Sequence, residues 1–105
     1  MKILFDQGTP VPLRQSLVPH DVDTAAELGW SELENGDLLR EAESKSYDIL
    51  ITTDQNLQYQ QNLTGRTIAI VVLRTTAWPV IRLHLDKISK RVDVLKSGDY
   101  VEISF

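Results

Sequence analysis

Thr67-Ile68-Ala69-Ile70-Val71-Val72-Leu73 is a run without charge, proline or glycine, rich in β-branched side chains. A short, unbroken apolar run of this kind reads as a strand buried on both faces, since a strand with one wet face alternates polar and apolar residues. Such a strand requires cover on each side of its sheet. Ile49-Leu50-Ile51-Thr52-Thr53 has the same character and ends at Asp54, and the shorter Lys2-Ile3-Leu4-Phe5 ends at Asp6.

The intervening segments supply that cover. Gly8, Pro10 and Pro12 close the first strand and open a helix over about Pro12 to Leu17, where proline is accepted in the first turn. His20 to Ala25 alternates as a marginal strand, expected at a sheet edge. Residues 29–36 read as loop. Leu38, Leu39 and Ala42 then recur at helical spacing, with Asn35 placed as N-cap and Asp37 in the first turn, where a carboxylate favours the positive end of the helix dipole. Asn56 to Leu63 is expected to be a short helix. The longest helix carries Trp78, Ile81, Leu85, Ile88, Val92 and Leu95 as one apolar stripe, and Tyr100 to Phe105 is a final strand. Strands and helices in strict alternation imply a three-layer α/β/α domain with a mostly parallel central sheet of about five strands. A chain of 105 residues fits one such domain.

Composition narrows the chemistry. Cysteine is absent, which removes disulfides and thiolate metal sites. No Ser/His/Asp set, Gly-rich phosphate loop or His-rich metal motif is visible. Net charge is −4, divided as four basic against eleven acidic residues over 1–63 and seven against four over 64–105. An acidic chain is a poor passive binder of nucleic acid, because nonspecific affinity comes from Lys and Arg neutralising phosphates; a cation-filled acidic site still acts on it. The apolar stretch before Asp6 is too short for a signal peptide or a membrane span, so a cytoplasmic protein with no membrane partner is expected.

In open α/β sheets the ligand site lies beyond the carboxyl ends of the strands, where strand order reverses. Asp6 and Asp54 both stand at such ends. A carboxylate following a buried strand is costly unless a cation or hydrogen-bond donor accompanies it, and two together repel. Mg2+ or Mn2+ relieves that conflict, since a hard cation takes one or two carboxylates with water and substrate phosphates. The plainer alternative is that each Asp is a turn residue bonded to the next backbone N–H.

The landmarks Leu4-Phe5-Asp6-Gln7, Ala26-Glu27-Leu28-Gly29-Trp30, Asn35-Gly36-Asp37-Leu38-Leu39 and Ile51-Thr52-Thr53-Asp54-Gln55-Asn56-Leu57 resemble those of the PIN-like domains, specifically the short bacterial branch related to VapC-type toxins. Thr52-Thr53-Asp54 is the most specific piece. The resemblance implies a Mg2+- or Mn2+-dependent ribonuclease, with RNA as substrate and a small antitoxin protein as partner. It makes Asp6 and Asp54 metal ligands and catalytic residues, with the third acid drawn from Asp37 or Glu27, and places Gln7, Asn35, Gln55 and Asn56 at substrate or around the ligands. Gly8 stands where relatives commonly carry Asn, and Asn56 where they often carry an acid.

Two other functions compete: a catalytically weak or inactive PIN-like interaction module, favoured by the neutral Asn35 and Asn56, and a phosphoacceptor domain with Asp54 as acceptor. The latter needs an acidic pair early in the chain and a late lysine, whereas Asp6 stands alone and Arg74 follows the central strand. Trp30 is a candidate base-stacking residue, Gln58 to Asn62 a candidate groove lining, and Val80, Leu83 and Val94 a candidate homodimer patch.

Overall fold

The computed structural model describes residues 1–57, 63 and 65–105. Five strands, β1 (Lys2–Phe5), β2 (Asp21–Thr24), β3 (Ile49–Thr52), β4 (Ala69–Leu73) and β5 (Tyr100–Ile103), form one sheet in the order β2-β1-β3-β4-β5. Every neighbouring pair is parallel. The marginal strand lies at an edge, as its weaker pattern implies.

Alternation along the strands divides the core in two. Ile3, Phe5, Ile49, Ile51, Val71 and Leu73 face one layer, while Leu4, Leu50, Ile70 and Val72 face the other. The first layer is filled by Leu13 and Leu17 from a 3-10 helix at Val11–Leu17, and by Ile81, Ile88 and Val92. The second is filled by Leu38, Leu39 and Ala42 of α1 (Asn35–Ser44), with Tyr47 and Leu57. Each fully buried aliphatic side chain stabilises the fold by roughly 1.5–3 kcal/mol relative to exposure, so the three-layer arrangement follows from the continuous apolar runs.

Two elements depart from the sequence reading. The stripe from Trp78 to Leu95 is intact, but its helix is split into α2 (Trp78–Ile81), a 3-10 turn at Arg82–His84 and α3 (Leu85–Asp93). The break falls at His84, at φ −127° and ψ 27°, whose ring lies 5.3 Å from that of Phe105. The N-cap of α1 is Glu34, without a side-chain cap, and not Asn35, whose amide is engaged elsewhere. The helix expected over Asn56 to Leu63 and the polar run Gln58 to Asn62 fall largely outside the described residues. Among the described residues no helix is long and apolar enough to cross a membrane.

Candidate active site

The turn after β1 is fixed by its backbone. Asp6 N–H donates to the Ile51 carbonyl at 2.9 Å, prolonging the β1–β3 pairing by one residue. Thr9 N–H then returns to the Asp6 carbonyl, and the buried Thr9 hydroxyl donates to the same Ile51 carbonyl at 2.9 Å. Gly8 lies against β3's exit: a Cβ there would stand 2.5 Å from Thr53 Oγ1. A side chain at position 8 therefore requires Thr53 to move, which gives the glycine a steric reason at this point of the chain.

Thr52 joins the two aspartates. Its hydroxyl, on a residue with no exposed surface, donates to Asp6 Oδ2 at 2.8 Å and accepts the Asp54 N–H at 3.1 Å. Asp6 Oδ1 accepts the Gln7 N–H at 2.7 Å. Asp54 Oδ1 accepts the Asn56 N–H at 2.9 Å, closing a turn, and Asp54 Oδ2 accepts the Asn35 amide at 2.6 Å. An ionised carboxylate has about four lone-pair sites on its two oxygens, so each Asp retains acceptor capacity toward a cation.

This constellation sits where the fold places ligands. β1 connects outward to β2 and the chain then crosses to β3 on β1's other side, so strand order reverses between β1 and β3. Asp6 follows directly on β1, and Asp54 stands two residues past the end of β3.

The other sequence candidates separate clearly. Asn35 reaches Asp54 by its side chain, and Gln7 and Asn56 reach the carboxylates by their backbone N–H groups. Gln55 turns toward Arg74. Asp37 pairs with Arg40 on the exposed side of α1. Glu27 pairs with Arg14 and forms a reciprocal box with Thr24, accepting the Thr24 N–H at 3.0 Å while its own N–H donates to Thr24 Oγ1 at 3.1 Å. The Arg14 hydrogen bond, followed by that from Thr24, holds the Glu27 carboxyl below its usual range. Among the described residues no three His, Cys, Asp or Glu side chains gather as a metal-holding group. The polar neighbour that the structure gives Asp54 is thus the amide of Asn35, while Asp37 and Glu27 are engaged in contacts of their own.

Trp30 is not a free stacking platform: its ring meets Tyr47 edge-on at 6.2 Å and packs on the second core layer. Sequence reasoning marked Thr52-Thr53-Asp54 as a motif but assigned the Thr52 hydroxyl no role of its own. The signal for Thr52 was a polar residue inside a buried strand, which must find a partner.

A cleft of about 310 Å3 opens at the opposite end of the sheet, lined by Tyr47, Asp48, Thr67 and Ser97 among others. Several of its polar groups are paired within the protein: Glu43 with Arg66 and Thr67, Asp48 with the Lys2 N–H, and Ser97 with the Thr67 carbonyl. Concavity favours that cleft, whereas strand topology and two strand-end aspartates linked through the Thr52 hydroxyl favour the Asp6–Asp54 end.

Compared with known proteins, the chain matches no family model, no curated protein and no solved structure.

Proposed function

We propose that this chain is a PIN-like endoribonuclease that depends on Mg2+ or Mn2+ and hydrolyses RNA phosphodiesters, acting as the toxin of a toxin–antitoxin pair. The observation that carries the reading is the Thr52 hydroxyl joining Asp6 to Asp54 at the point where strand order reverses. Asp6 and Asp54 are the residues that would hold the cation, and their spare lone pairs fit one. A bound divalent cation supplies Lewis acidity and a more acidic water. The protein's own groups do the rest: Thr52 fixes the direction of the Asp6 carboxylate, and the turn at Asn56 fixes that of Asp54. Asn35 favours oxygen ligation once its amide turns its Oδ1 inward, since an amide carbonyl is a hard donor.

Incubation of a mixed RNA pool with Mn2+ tests the proposal. The wild type should cleave, and Asp6→Asn and Asp54→Asn should each lose cleavage. Activity persisting in both variants, or absent from the wild type, would overturn it.

Two observations support other readings. The Asn35 amide donating to Asp54 Oδ2, with the Asn56 turn on Oδ1, is also what a structural Asp makes, and this favours an interaction module without catalysis. That reading predicts no metal response. The strand order is shared with phosphoacceptor domains, which favours Asp54 as an acceptor; the lone Asp6, flanked by Phe5 and Gln7, counts against it.

A further inference from the structure

Arg74 is the first residue beyond β4, and β4 is the neighbour of β3 in the sheet. Thr52 pairs with Val72, so the two strands deliver Asp54 and Arg74 to adjacent exits two residues later. Gln55, next to Asp54, grips that arginine from both ends. Its Oε1 accepts from Arg74 Nε at 3.3 Å, and its Nε2 donates to the Arg74 carbonyl at 3.4 Å. With Nε so held, the guanidinium stands about half exposed, its Nη1 3.7 Å from Glu102 Oε2.

Arg74 differs from the other paired arginines in the length of its ion pair, since Arg40, though also exposed, is bonded directly to Asp37. Arg66 lies at the opposite end of the sheet, largely buried and bonded to Glu43 at 2.6 Å. Arg14 is bonded directly to the Glu27 carboxylate. Arg74 is about half exposed, and its ion pair exceeds normal hydrogen-bond length. An exposed pair of that kind contributes little, so an incoming anion can displace Glu102 at small cost. A planar fork, held in place and lightly paired, is suited to a phosphate.

We infer that Arg74 is the substrate-binding arm of this site, contacting a backbone phosphate of a single-stranded RNA whose scissile linkage lies at Asp6 and Asp54, and that Gln55 is its positioning residue. The inference rests on the phosphodiesterase reading above. It gives an acidic chain the local positive charge that binding a polyanion requires.

Fluorescence anisotropy of a labelled twelve-nucleotide oligouridylate tests it, in Ca2+ and in chelator, over a series of salt concentrations. Ca2+ stands in as an oxygen-seeking cation of looser geometry. Arg74→Ala should weaken binding roughly tenfold and lower the salt slope by about 0.7, the share of one phosphate contact on a single strand. Arg74→Lys should restore the slope without the full affinity. Gln55→Ala should weaken the wild type and add nothing to Arg74→Ala, because it acts only through the guanidinium. Glu102→Gln should tighten binding by removing the competing carboxylate. Unchanged affinity and slope in Arg74→Ala would overturn the role of Arg74 while leaving the cation reading intact. Wild-type binding that ignores Ca2+ yet falls in Arg74→Ala would uphold Arg74 and count against the cation. No binding by the wild type in either buffer would overturn both.

Discussion

The Thr52 hydroxyl donates to Asp6 Oδ2 at 2.8 Å and accepts the backbone N–H of Asp54 at 3.1 Å, so one buried side chain sets both aspartates. Thr52→Val keeps the shape and removes both bonds, leaving the Asp54 N–H without its acceptor. A loss of about 1–3 kcal/mol is expected, the cost of an unsatisfied buried polar group. Thr52→Ser should retain most of the stability, because it keeps the hydroxyl. Chemical denaturation of the three proteins checks this, and equal stability of Val and wild type would show that the bridge carries no energy.

Gly8 and Thr53 should be coupled. With a Cβ only 2.5 Å from Thr53 Oγ1, Gly8→Ala is expected to cost roughly 1–3 kcal/mol through crowding. Adding Thr53→Ala should recover much of that loss, giving a favourable interaction energy in a double-mutant cycle. Strictly additive effects would place the clash elsewhere.

How far the sequence discloses this arrangement depends on the residue. Strands β1, β3 and β4 were legible because each is an apolar run with both faces buried, and the stripe from Trp78 to Leu95 was legible because burial selects for it even where the helix is broken. The break at Arg82–His84 was not, since the apolar stripe runs on across it; there the His84 ring stands 5.3 Å from that of Phe105, beyond the end of β5. Asn35 reads as a cap by propensity, yet its amide goes to Asp54 across the sheet end. Asp6 and Asp54 were recognisable by position; the hydroxyl joining them depends on the β1–β3 register, which no local pattern specifies. Glu27 and Asp37 were candidates for a third acid through the resemblance alone, and in the structure nearby arginines engage both.

Asn35→Asp tests whether the amide stands in for an acid. In chelator the new carboxylate faces Asp54 Oδ2, now 2.6 Å from the amide nitrogen, and like charges at that range oppose folding. The variant should melt below the wild type without metal and respond more strongly to Mn2+. A melting temperature unchanged in both buffers would place position 35 outside the site.

Acid sensitivity should come partly from Glu43. Partial burial pushes its carboxyl up, but the hydrogen bonds from Arg66 and the Thr67 N–H outweigh this and hold it below the ordinary 4.5. With the folded value below the unfolded one, the stabilisation is present above pH 4.5 and is lost as pH falls from there through the folded value. Glu43→Gln should be less stable than the wild type at neutral pH, and the gap should narrow between roughly pH 5 and pH 3. A gap constant across that window would assign the acid sensitivity to other carboxylates.

Thermal melts of the wild type and Asp6→Asn in chelator and in excess Mn2+ address the central claim without needing a substrate. A cation bound only by the folded protein adds about 2.7 kcal/mol when free metal is 100 times its dissociation constant. The wild type should therefore melt higher in Mn2+. Asp6→Asn should melt at or above the wild type in chelator, having lost one of two like charges, and should lose most of the metal response. A wild type whose melting temperature is the same in chelator and in Mn2+ would contradict a cation site at Asp6 and Asp54.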